Sequence, residues 1–83
     1  MGKVRYTVII EWDPEEKLYI ATIPALSIGS YGDTVDEAMV MIQEAAEVTI
    51  EGLKGDGQPI PQGDEGKVAL ANLSNGMKPW PKN

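Results

Sequence analysis

The sequence predicts an α+β domain in the order β-β-β-α-β: a three-stranded antiparallel sheet, one helix packed on one face of it, and a short returning strand. Three observations point there. Residues 4–12 and 17–23 are β-rich runs on either side of Asp13-Pro14-Glu15-Glu16; residues 35–53 carry an apolar arc of helical period; and a brief apolar run, 67–73, follows a Gly- and Pro-rich stretch.

In the first run Val4, Tyr6, Val8, Ile10 and Trp12 alternate with Arg5, Thr7, Ile9 and Glu11, the period of a strand with one strongly apolar face. Pro14 presets φ for a turn, and the second run, Lys17 to Ile23, stops at Pro24, which has no N–H for a ladder. Together they read as a hairpin. A four-residue loop with Trp12 opposite Lys17 puts Ile10 beside Tyr19, Val8 beside Ala21 and Tyr6 beside Ile23. The opposite face then carries Ile9, Leu18 and Ile20, which a single helix cannot also cover. Residues 25–31 suit a brief third strand.

Thr34 with Glu37 three residues on fits a capping box, and Asp36 and Glu37 complement the positive helix end. Val35, Ala38, Met39, Ile42, Ala45, Ala46, Thr49 and Leu53 fall in one arc, so the helix runs about five turns to Gly55 as its expected C′ residue. Residues 56–66 hold three of the nine Gly and two Pro and read as an irregular loop. In the final run Val68 and Leu70 share one side. The domain is expected to span residues 1–73, with a Pro- and Trp-containing tail over residues 74–83.

Composition narrows the chemistry. Eighty-three residues allow one small domain, and a chain this short hides only about 60–65% of its unfolded surface, so a partner or self-association is expected to support it. There is no Cys and no His, which removes disulfides, thiolate or imidazole metal sites, and Cys-His or Ser-His nucleophiles. The carboxylates show no spacing that forces them to converge, the 56–66 loop lacks the alternating oxygen ligands of an EF-hand, and Gly29-Ser30-Tyr31-Gly32 does not follow a buried parallel strand as a phosphate cradle would. No cofactor and no catalytic site are expected. The net charge is −6, with −7 concentrated in residues 34–65, which argues against direct nucleic-acid binding. Tyr6 to Ile10 is too brief for a signal peptide or membrane span, so a cytoplasmic protein without membrane contact is expected.

Two surfaces stand out. Glu44, Glu47 and Glu51, interleaved with Val40 and Val48, line the helix face opposite the core. Such a face is either simply solvated or a contact for a basic partner. Glu47 and Glu51 repel at i, i+4 and sit toward the negative helix end, which is mildly unfavourable for the helix, and an acidic ridge interleaved with Val would suit a basic partner. Glu44, Glu47, Val48 and Glu51 are the expected partner-binding residues. Ile9, Leu18 and Ile20, with Trp80 as an anchor from the tail, are the expected self-association residues, giving a dimer or larger assembly.

Four stretches together resemble the HicB-like antitoxin family: Tyr6-Thr-Val-Ile-Ile with Trp12-Asp13; Tyr19-Ile-Ala-Thr-Ile-Pro24-Ala-Leu26; Gly32-Asp33-Thr34-Val-Asp-Glu37-Ala38; and Gly57-Gln-Pro-Ile60-Pro61. The resemblance covers residues 4–61 and implies a degraded RNase H-like fold without nuclease activity. It also implies a partner: HicA, a small basic toxin RNase that the antitoxin blocks by direct contact. Where many members carry Pro-Gly-Cys or a similar run before the Gly-Asp-Thr segment, this chain reads Ala25-Leu26-Ser27-Ile28-Gly29. Many members also append a helix-turn-helix or ribbon-helix-helix domain. Residues 62–83 are too few for either, so operator binding is not expected. The expected role is a non-catalytic, antitoxin-like protein-binding module; the alternative is a stand-alone oligomeric adaptor of the same fold with no toxin partner.

Overall fold

The computed structural model describes residues 5–71. Its elements are β1 (Val8–Asp13), β2 (Leu18–Ile23), a 3₁₀ turn (Pro24–Leu26), β3 (Ile28–Gly32), α1 (Val35–Gly55) and β4 (Val68–Ala71). The expected α+β order is present, and the returning strand joins the sheet itself. Four strands lie in the order β3-β2-β1-β4, with β1 antiparallel to β2, β2 antiparallel to β3, and β4 parallel to β1. The expected tail, residues 74–83, lies outside the described residues, as does Trp80.

The hairpin register differs from the expected one by two residues. Ile10 pairs with Ala21, Trp12 with Tyr19 and Asp13 with Leu18. The turn chemistry of Asp13 decides this. Its carboxylate accepts the N–H of Glu15 at 3.0 Å and of Glu16 at 3.2 Å, while its carbonyl accepts from Lys17 at 2.7 Å. Asp13 therefore closes β1 instead of opening the loop, and Lys17 ends the turn in the left-handed region at φ 60°. Because a slip of two residues preserves the side-chain alternation, every apolar residue keeps its expected face. Trp12 and Tyr19 become direct cross-strand neighbours, ring centroids 4.9 Å apart.

The core consists of Val8, Ile10, Tyr19, Ala21 and Ile23 from the sheet, Leu26 from the 3₁₀ turn, and Ala38 and Ile42 from α1. Tyr6, Trp12, Ile28, Val35, Met39 and Ala46 pack around it. All eight residues of the expected inward arc of α1 are buried or half-buried. The helix ends later than expected. Asp56 is the C-cap, and Gly57, at φ 69°, occupies C′. Gln58 N–H reaches the Leu53 carbonyl at 2.8 Å and Gly57 N–H the Lys54 carbonyl at 3.1 Å, a Schellman closure. Gly55 is the last helical residue and its φ is not positive, whereas Gly57 takes the left-handed backbone.

Candidate functional site

The Gly32-Asp33-Thr34 to Glu37-Ala38 segment joins β3 to α1. Thr34 Oγ1 accepts the Glu37 N–H at 3.0 Å, as a capping box requires. The Glu37 carboxylate reaches one residue further back than expected, accepting from the Asp33 N–H at 2.7 Å. Asp36 and Glu37 in the first turn face the positive helix end. Gly32 is buried so tightly that a Cβ there would stand 2.5 Å from Ala38 N and 2.8 Å from Glu37 C. The segment thus sets the entry angle of the helix onto the sheet.

That entry fixes which faces of α1 remain free. Glu44, Glu47 and Glu51 are exposed, and no ion-pair partner engages them among the described residues. Val40 is 53% exposed and Val48 71%. Met39, Gln43, Ala46, Glu47 and Ile50 turn toward β1 and β4, where with Tyr6, Val8 and Val68 they line an open groove of about 440 Å³. Glu47 sits on its rim. Val48 does not line the groove: it follows Glu47 by about 100° around the helix axis and is exposed. The four expected partner-binding residues therefore form an exposed ridge on α1, with Glu47 at its groove side.

Among the described residues no helix covers the other face of the sheet. Ile9, Leu18 and Ile20 lie on it half-buried, together with Glu11, Thr22 and the ring of Tyr31, which is 63% exposed. Leu18, Ile20, Gly29 and Tyr31 line a shallow hollow of about 480 Å³ whose rim bears Asp13 and Glu16. Three of the four expected self-association residues thus share one surface.

A polar knot that sequence reading missed ties the loop before β4 to the residues before β1. Tyr6 Oη donates to the Pro61 carbonyl at 2.6 Å, and Asp64 N–H donates to the Arg5 carbonyl at 2.8 Å. Asp64 Oδ1 accepts from the Gly66 N–H at 3.0 Å and from the Thr7 hydroxyl at 2.9 Å, and Thr7 Oγ1 accepts from the Lys67 N–H at 3.3 Å. The Gly63-Asp64-Glu65-Gly66 turn chemistry was its available signal. The Gly66 N–H and then the Thr7 hydroxyl hold the Asp64 carboxyl below its ordinary value of 3.8. A lowered folded value means that stability is present above the unfolded value and lost as pH falls through the folded one. The stability advantage of the native chain over Asp64→Asn is therefore expected to be full at neutral pH and to shrink below about pH 4. Paired denaturant melts across that range test it, and a difference independent of pH would sink it. Glu65 and Lys67 also pair, at 2.8 Å, but both are largely exposed and the pair contributes little.

No group of three or more Asp, Glu, Cys or His positioned to hold a metal occurs among the described residues, and no helix there is long and apolar enough to cross a membrane. The described residues present an acidic ridge, a bare sheet face and a groove. The family model for the HicB_like antitoxin of bacterial toxin-antitoxin systems matches residues 6–76, and the chain belongs to that family. It is also 35% identical over 68 residues to UPF0150 protein Ta0767 of Thermoplasma acidophilum, a match covering 81% of this chain and 97% of that protein. No solved structure matches.

Proposed function

We propose that the protein is a non-catalytic antitoxin-like module of the cytoplasm that neutralises a small basic RNase toxin of the HicA kind by direct contact, through the ridge of Glu44, Glu47, Val48 and Glu51. Membership of the antitoxin family supports the class of role. The observation that carries the surface is the ridge itself: three exposed carboxylates that make no salt bridge among the described residues, beside exposed Val40 and Val48. A toxin that grips RNA presents Lys and Arg around its active site. An inhibitor succeeds by offering carboxylates where phosphates would lie, with apolar contacts to hold the register. Glu44 to Glu51 spans about 10 Å, close to two helical turns. Self-association through the bare sheet face of Ile9, Leu18 and Ile20 is part of the same reading, since those side chains have no helix above them; Trp80 is proposed to add to that contact.

Reversing Glu44 and Glu47 to Lys is expected to slow association with a basic HicA-type toxin at least tenfold at low salt, with the helix content unchanged. The control is Glu15→Lys with Glu16→Lys in the exposed hairpin turn. Asp64 and Glu65 are unsuitable because Asp64 belongs to the knot before β4. Stopped-flow association rates decide the matter: equal slowing by both pairs would leave only net charge at work, and no slowing by either would remove the helix from the contact. Absence of any binding to such a toxin would favour the stand-alone oligomeric adaptor.

A further inference from the structure

We propose that residues 72–83 turn back across the bare sheet face of their own chain, seating Trp80 in the hollow lined by Leu18, Ile20, Gly29 and Tyr31. This rests on the placement of Trp80 at the bare face proposed above, and it names which chain supplies the ring. The register brings the chain to this hollow. Ala71, where the described residues end, pairs with Glu11, Glu11 with Ile20, and Ile20 with Tyr31. These four residues form one row across the helix-free face, and Ile20 and Tyr31 at its far half line the hollow. Three strand spacings of about 4.8 Å put Tyr31 roughly 14 Å from Ala71. Trp80 follows Ala71 by nine residues. An extended segment of that length reaches about 30 Å, which leaves Ser74-Asn75-Gly76 to form the turn.

Charge selects the occupant. The end of the sheet to which β4 delivers the chain carries Asp13, Glu15 and Glu16 in the hairpin turn, and Asp33, Asp36 and Glu37 where β3 meets α1. Lys17 is the cation among the described residues at that end. Asp13 and Glu16 stand on the rim of the hollow itself. Residues 72–83 carry Lys78 and Lys82 and no acid. An apolar hollow with an acidic rim fits an aromatic ring that has a lysine two residues to either side. Pro79 and Pro81 restrict φ on both sides of Trp80, so less conformational freedom is lost on docking.

Two other surfaces fit this segment less well. The groove beside Val8 and Val68 lies at the opposite end of β4 and is lined by Arg5 and Lys67 as well as Glu47. The ridge of Glu44, Glu47 and Glu51 lies on the other side of the sheet from the row that Ala71 opens. A separate basic protein could offer similar chemistry to the hollow. A segment tethered at Ala71 competes with it at an effective concentration in about the millimolar range. Seated in the hollow, Trp80 shares a face with Ile9 and becomes part of the surface that a second copy would meet.

The test is nuclear magnetic resonance of the full isotope-labelled chain diluted in excess unlabelled chain, where Overhauser effects between two labelled groups arise only within one molecule. Such effects are expected from the Trp80 indole to the Leu18 and Ile20 methyl groups and to the Tyr31 ring. Lys78→Glu with Lys82→Glu is expected to weaken them about threefold at low salt. The same charge change at Lys54 and Lys67, far from the hollow, is expected to leave them unchanged. Glu16→Lys added to the doubly reversed chain is expected to recover most of the loss. Indole contacts to Val68, Leu70 or Met39 would place residues 72–83 in the groove and overturn the proposal. Contacts found only between labelled and unlabelled chains would overturn it by assigning Trp80 to a second copy. An indole without contacts to either face would overturn it outright. Sedimentation equilibrium of the same sample separates this from the wider reading. A monomer with the expected contacts keeps the docking and removes self-association; a dimer without them does the reverse.

Discussion

Gly32→Ala is expected to destabilise the fold by about 3 kcal/mol, at the upper end of what overpacking costs, even though it adds only one methyl group. The added carbon would stand 2.5 Å from Ala38 N and 2.8 Å from Glu37 C, and these are backbone atoms that no rotamer change can move aside. The first turn of α1 would have to lift from β3. Lifting it breaks the hydrogen bond from the Asp33 N–H to the Glu37 carboxylate and opens the packing around Ala38, which is fully buried. Gly52→Ala is the matched control. No atom lies within 4 Å of its added carbon, so relief of helix entropy should raise stability by about 0.5–1 kcal/mol. Urea melts of the two variants should shift in opposite directions. Equal shifts would mean that the close approach at Gly32 is not maintained in solution.

Ile42→Ala is expected to cost about 3–4 kcal/mol. Ile42 and Ile10 are the two large side chains with no exposed surface, one on the helix and one on the central strand. Among the described residues eight make up the buried core, so removing three carbons from one of them opens a void that so small an interior has little material to refill. A domain of this size has a total stability on the order of 5 kcal/mol, and the variant should be substantially unfolded at 37 °C. Ile42→Val should cost about 1 kcal/mol and remain folded. Circular dichroism against temperature separates these outcomes; a native-like melt for Ile42→Ala would mean that α1 is held mainly by its ends.

The antitoxin family membership and the acidic ridge have different origins in the sequence. The Gly32 to Ala38 segment, the most specific part of the resemblance, turns out to act in packing and capping: Gly32 admits the helix, Thr34 and Glu37 start it, and Ala38 sits beneath it. Those roles serve the fold. The ridge residues are exposed and packed against nothing, so local patterning could locate them but could not say which neighbours they face. Val48 illustrates the difference. It adjoins Glu47 and Glu51 in the helical pattern, yet the direction in which α1 lies on the sheet puts Glu47 on the groove and leaves Val48 off it.

What the amino-acid order determined alone was whatever depends on residues a few positions apart. The period-2 and period-3.6 patterns placed the strands, the helix and their apolar faces, and Thr34 with Glu37 marked the helix start. Gly57 in place of Gly55 as the left-handed residue, and the hairpin register, needed competing local hydrogen bonds to be weighed. Gly57 and Gln58 take the Lys54 and Leu53 carbonyls, and the Asp13 carboxylate takes the Glu15 and Glu16 N–H groups. Only the tertiary structure decided what joins residues more than fifty positions apart: the parallel docking of β4 on β1 and the Thr7–Asp64 and Tyr6–Pro61 bonds that lead into it. Nothing in either segment alone specifies the other. Their pairing is settled by where α1 leaves the chain after crossing the sheet, and that direction follows from the close contact at Gly32.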